Sequence, residues 1–198
     1  DLLKHYRPLQ PLNGIIVAIP APDFLVPQKM AGHAETVRAR LAEISGQLNL
    51  DLPVYLLVTK ADLIPGFREY FGRSTDAESD QVLGTTAPGI KVDTDAVMIG
   101  FDDLITSVSS RVVDRMQNEP QMHLRGQIAA FPAQLASFRM PIAGLLGALA
   151  QKSRFDQPAR VRGIYFASAV QTGNPVDRIL LNAGIPAIAS VHGVGQGR

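Results

Sequence analysis

The chain has 198 residues, 46% of them apolar, with 19 basic and 18 acidic side chains. That length suffices for one substantial core or for a domain with an appended subdomain. A net charge of +1 without a dense Lys/Arg run offers no footprint for nucleic acid or an anionic lipid surface, and the lack of cysteine excludes disulfides and zinc–thiolate sites.

The longest apolar runs, Gly14–Ile19 and Ile142–Ala150, fall short of the ~20 residues of a spanning helix. No membrane span and no signal peptide are therefore expected. The opening at Asp1 reads as the end of a helix, as in a piece cut from something longer at both ends.

Three short runs read as buried strands: Gly14–Ile19, Val54–Val58 and Gly163–Ala167. Each is rich in β-branched or aromatic residues, apolar on both faces and bounded by turn residues. That pattern predicts a parallel sheet covered on both sides by helices. Between the first two, Met30, Ala34, Val37, Leu41, Ile44 and Leu48 recur in steps of four and three. They form one stripe on a helix of about five turns, with Leu41 and Ile44 expected at its buried centre. The result is a βαβ unit.

After the second strand, Gly66–Phe71 reads as a short helix and residues 72–95 as an irregular, exposed excursion. Val97, Phe101, Leu104, Val108 and Val112 form a further helical stripe. Leu124, Ile128, Phe131, Leu135, Phe138, Ile142, Leu145 and Leu149 form another, which Pro132 and Pro141 should bend or break. The two stripes predict a helical hairpin packed on itself. Following the third strand, Asn174 reads as an N-cap, Pro175 as N1 and Gly184 as a stop, with Val176, Ile179, Leu180 and Ala183 facing inward. Residues 193–198 lack a packing pattern. The organisation is thus an α/β core over 1–71 and 159–184, an excursion and inserted helical subdomain over 72–158, and a tail or linker over 185–198.

Chemistry points first to Thr59-Lys60-Ala61-Asp62, directly after the second strand. GTPase-like P-loop domains place Asn/Thr-Lys-x-Asp there. The carboxylate can accept two hydrogen bonds from the donor edge of guanine, an edge adenine does not offer. Ligands of open α/β sheets also sit at the carboxyl ends of strands. Ser168 and Ala169, after the third strand, stand where such domains place a turn whose N–H groups approach the guanine oxygen; an ordinary strand-to-helix turn of small residues accounts for them as well. No Gly-x-x-x-x-Gly-Lys-Ser/Thr and no Asp-x-x-Gly is present, so this chain lacks a phosphate cradle. His5, His33, His123 and His192 lack metal-ligand spacing. Asp93, Asp95, Asp102 and Asp103 do not fit a calcium loop, because Met98 and Leu104 replace its Gly and Glu.

Several segments resemble one family in order and spacing. Leu3–Val17, with its Arg-Pro and Asn-Gly, is similar to the segment of IcmF/TssM proteins that leads into a strand. Leu52–Leu63 resembles their next strand, and Gly66–Phe71 the aromatic helix after it. Gln81-Val-Leu-Gly84 resembles their Gln-Val-x-Gly. Arg162–Ser168, followed by Pro175–Arg178, resembles their Arg-Gly-x-Tyr-Phe-x-Ser…Pro-x-Asp-Arg signature.

The resemblance implies a type VI secretion protein anchored in the bacterial inner membrane, whose GTPase-like domain with a helical insertion lies on the cytoplasmic side. It implies a core complex with TssL and TssJ and docking of other membrane-core or baseplate components. It implies a P-loop GTPase-like sheet, N-terminally truncated here, with Thr59, Lys60, Asp62, Ser168 and Ala169 as a partial or vestigial base site and no cofactor in this chain. GTP or ATP with Mg²⁺ is expected only if upstream residues are present. The expected function is an assembly module rather than an enzyme, with part of a nucleotide switch as the alternative. In such a truncated sheet the edge beside Ile15, Ile16 and Val17 would lack its strand partner, and self-association through that edge is expected.

Overall fold

A computed structural model describes residues 12–48, 51–72, 82–89, 93–151 and 159–168. Strand β1 (Ile15–Pro20) runs through a 3-10 turn (Ala21–Leu25) into helix α1 (Pro27–Leu48). Strand β2 (Pro53–Thr59) is followed by a 3-10 turn (Ala61–Leu63) and the short α2 (Phe67–Phe71). Next come β3 (Leu83–Thr86), α3 (Thr94–Ser110), α4 (Val112–Gln117), α5 (Met122–Ala136), α6 (Arg139–Ala150) and β4 (Arg160–Phe166). The sheet order is β1-β2-β4-β3. β1, β2 and β4 are parallel and β3 is antiparallel to β4.

The α/β class and the three expected strands are present. The sheet is nonetheless mixed rather than all-parallel, because part of the stretch read as irregular forms β3. Its four residues carry Gly84, where a side chain would run into the Tyr165 ring. Glycine at that spot lets the β3 backbone lie against β4. The helix expected from Asn174 and the segment before Pro11 lie outside the described residues.

Register assigns the two faces. Ile15, Val17 and Ile19 pair with Val54, Leu56 and Val58. Leu56 and Val58 pair in turn with Ile164 and Phe166. This face is buried: Ile19, Leu56, Val58 and Ile164 are at most 2% exposed. Phe101 of α3 stacks on Phe166, with centroids 6.0 Å apart. Phe138, in the bend between α5 and α6, meets Phe166 edge-on at 6.1 Å and Phe24 at 5.5 Å. The stripes of α3, α5 and α6 therefore share one core with the sheet, and these helices also pack on one another. The opposite face, with Ile16, Ala18, Tyr55, Leu57 and Tyr165, contributes nothing to that core among the described residues. Among the described residues, helices cover one face.

On α1 the buried residues are Met30 and Ala34, while Val37 and Leu41 are partly buried against the core and Ile44 is half-buried outside it. The expected centre of the stripe is thus displaced by two to three turns. A helix of 22 residues is about 33 Å long at 1.5 Å per residue. A strand of six covers about 20 Å, so one end of α1 overshoots the sheet.

Neither proline marks the helix break. Pro132 lies inside α5, and Pro141 is the third residue of α6, where its missing N–H belongs to the donors a helix start leaves unpaired anyway. The chain bends at Ser137 and Phe138 instead. Across this bend, Met122–Ala150 is long and apolar enough to cross a bilayer by length and composition, contrary to the expectation drawn from unbroken runs. Here its apolar residues Ile128, Phe131, Leu135, Ile142, Leu145 and Leu149 are spent in the core. Asp93, in the stretch read as irregular, caps α3 by accepting from the Ala96 N–H at 2.8 Å.

Asp102 of α3 takes Arg139 of α6 in a two-pronged pair, Nε and Nη2 donating at 2.7 and 2.9 Å. The Arg139 hydrogen bonds hold the Asp102 carboxyl below its ordinary value of 3.8. A depressed folded value means stability that is present above the unfolded value and lost as pH falls through the folded one. Wild type should therefore exceed Asp102→Asn in urea midpoint above about pH 5, and the gap should close as pH drops below 3.8. A gap unchanged at low pH would show that the pair contributes no charge-dependent stability. In the same assay Phe101→Ala should cost about 3–5 kcal/mol, and Ile44→Ala at most about 1.

Candidate functional site

Three parallel strands send their carboxyl ends to one rim, where open α/β sheets bind ligands. Thr59 is the last residue of β2. Lys60 follows in the left-handed region at φ 56, ψ 39, an uncommon place for a residue with a Cβ. Its side chain is exposed. This residue tips the chain into the 3-10 turn that carries Asp62. The end of β4 is stitched alongside: the Ala167 N–H donates to the Val58 carbonyl at 2.9 Å, and the Ala61 N–H to the Ala167 carbonyl at 3.1 Å. The fold thus brings the Thr59–Asp62 turn next to exposed Ser168. Ala169 lies outside the described residues.

Asp62 is the unusual member. It is 4% exposed, and its Oδ2 accepts from Arg68 Nη2 at 2.8 Å. Its Oδ1 is buried and has no hydrogen-bond partner among the described residues. Sequence reading missed Arg68, six residues on. The signal lies in the turn between them: Gly66 adopts φ 82, and a side chain there would strike the Gln127 carbonyl. Only glycine permits this fold-back, which lays α2 on α5. Phe67, Tyr70 and Phe71 then surround Phe131 at 5.0–5.8 Å. The Tyr70 hydroxyl donates to the Val108 carbonyl at 2.8 Å.

The neighbouring stretch of the rim, between the turns after β1 and β2, is filled by the α5–α6 bend. Gln134 and Phe138 close over Ala21, Pro22, Leu63 and Ile64 and leave about 10 Å³, roughly the room of one water. A roomier groove of about 390 Å³ lies between α1 and α6, lined by Met30, Ala31, Ala34, Pro141, Gly144 and Ala148 among others. It is apolar. Asp23, after β1, accepts from Lys29 at 2.8 Å and is paired with His33 at 2.9 Å. The Lys29 hydrogen bond leads in holding the Asp23 carboxyl below its ordinary value. No group of three or more His, Cys, Asp or Glu side chains suited to a metal occurs among the described residues.

These features define an α/β domain whose mixed sheet is packed on one face by its own helices and whose rim acid is held internally. The chain belongs to the IcmF-related family: the model of the IcmF-related N-terminal domain matches residues 1–189. Over 187 residues it is 33% identical to the type VI secretion system component TssM1 of Pseudomonas aeruginosa, a match covering 91% of this chain. The chain spans 17% of that relative's length. No solved structure matches it.

Arg68→Ala would strand the Asp62 carboxylate in the interior. Because half of the Arg68 side chain is in solvent, the cost should be about 1–3 kcal/mol, below that of a fully buried pair. Adding Asp62→Ala should recover part of the loss. Strict additivity of the two changes in chemical denaturation would mean that the pair is not coupled.

Proposed function

We propose that this chain is an assembly and interaction module of the type VI secretion membrane complex, built on a P-loop GTPase-like core whose base-reading turn has become a structural tie. Family membership and the placement of Thr59-Lys60-Ala61-Asp62 at a strand end support the GTPase-like part. The observation that carries the rest is the state of Asp62. Reading guanine takes both carboxylate oxygens, each reachable by a ligand N–H. Here one oxygen holds Arg68 and the other is buried. The module acts at the cytoplasmic side of the inner membrane, with TssL and other membrane-core or baseplate components as its partners, and has no enzymatic activity or cofactor of its own. A GTP or ATP switch with Mg²⁺ would need phosphate-binding residues from outside this chain.

Calorimetry with GTP and ATP tests this reading. Affinity should be no better than about millimolar, near −4 kcal/mol. Micromolar binding that Asp62→Ala abolishes would overturn it. Immobilised TssL should capture the chain, and failure to do so would remove that partner.

A further inference from the structure

The groove between α1 and α6 has an apolar floor and an open top. Buried Phe24, Met30 and Leu145 form the floor, while exposed Ala31 and Gly144 and half-buried Ala148 leave the top open. On the two helices its lining runs from Pro27 to Ala34 and from Pro141 to Ala148, about 10 Å along each. At about 390 Å³ it has the size of a small-molecule cleft, a kind of site that is mostly apolar with a few placed polar groups. Arg38 supplies the polar group. It follows Ala34 by four residues, which puts it on the same face of α1 one turn beyond the groove. Helical side chains lean toward the N-terminus, so its stem is carried back toward that end. Arg38 is half-buried and has no ion-pair partner among the described residues. The nearest acid along the helix, Glu35, is exposed and does not pair with it. Arg40 is by contrast tied to Glu43 at 2.8 Å.

We propose that the α1–α6 groove binds an aliphatic carboxylate, with its hydrocarbon chain between the two helices and its head group at Arg38. Charge complementarity selects this occupant. A half-buried guanidinium at the end of an apolar groove matches an amphiphile with one acidic head, and its paired N–H donors fit a carboxylate. The groove floor removes the chain from water, which supplies most of the driving force. The stem of Arg38 covers apolar surface while its charge stays at the mouth. One cation suits a single acidic head group and not a charged bilayer surface, in keeping with a net charge of +1. The inference does not depend on the nucleotide or assembly reading above.

Calorimetry of the whole chain with decanoate, below its micellar concentration, should show saturable binding. Gly144→Leu should abolish it. Nothing lies within 4 Å of where a Cβ would stand at Gly144, so the new side chain fills the groove without a clash, and losing a helical glycine favours the helix. If Gly144→Leu does not fold by circular dichroism, Ala31→Leu on the facing wall takes its place. Arg38→Gln should weaken decanoate by about tenfold or more and leave the neutral decanol unchanged. Arg40→Gln should alter neither. Folded wild type without saturable binding would overturn the proposal. So would a filled groove that still binds decanoate, or an Arg38→Gln effect equal for decanoate and decanol. A wild-type dimer that Gly144→Leu converts to monomer, with no decanoate bound, would mean that a second copy occupies the groove, and would overturn it as well.

Discussion

The pairing of β4 with β2 is the contact on which the rest of this domain depends. It joins Pro53 to Arg160 and Val58 to Phe166, strands separated by about 100 residues of chain. Closing a loop of that length costs about 4 kcal/mol in chain entropy, and parallel ladders return somewhat less per residue than antiparallel ones. The pairing therefore persists only because the intervening helices gain by it. Phe101 and Phe138 both close on Phe166, and Phe138 carries the contact on to Phe24 after β1. The helices need the sheet's buried face, and the sheet's centre needs the helices. The antiparallel β3 completes the arrangement by pairing with the far side of β4 while its Thr85 sits under Gly100 of α3.

That mutual dependence also shapes the rim. The same α5–α6 bend that seats Phe138 on Phe166 puts Gln134 over the turns after β1 and β2. The short helix holding Arg68 is itself held by Phe131 of α5. Asp62 is thus fixed by packing that begins some 70 residues later in the chain, since 131 − 62 = 69.

Much of this was legible in the sequence, and the failures have physical causes. The three parallel strands and α1 announce themselves because runs such as Val54–Val58 are apolar throughout and Met30–Leu41 repeat at helical spacing. β3 was illegible because Leu83-Gly84-Thr85-Thr86 has neither length nor alternation, and its existence rests on a close approach to Tyr165. Periodicity gave the stripe of α1 but not its position over the sheet, so Leu41 and Ile44 were favoured over Met30 and Ala34. The residues of the rim turn could be named, yet Arg68 could not. Its meeting with Asp62 depends on the left-handed Gly66 and on how α2 docks. Which helices take which face could not be read either, since apolarity on both faces of a strand says that something covers them and not what.

The bend between α5 and α6 has a further meaning during biosynthesis. A ribosome making this domain extrudes a stretch of 29 residues, Met122–Ala150, that by length and composition an insertion machinery could take for a spanning segment. Arg139 falls near their middle. An arginine at the centre of an inserting helix costs about 2.5–3.5 kcal/mol on insertion scales, whereas in the folded domain its charge meets Asp102, which has already been synthesised. The side chain that would weigh against insertion is, in the folded domain, the clamp between two helices.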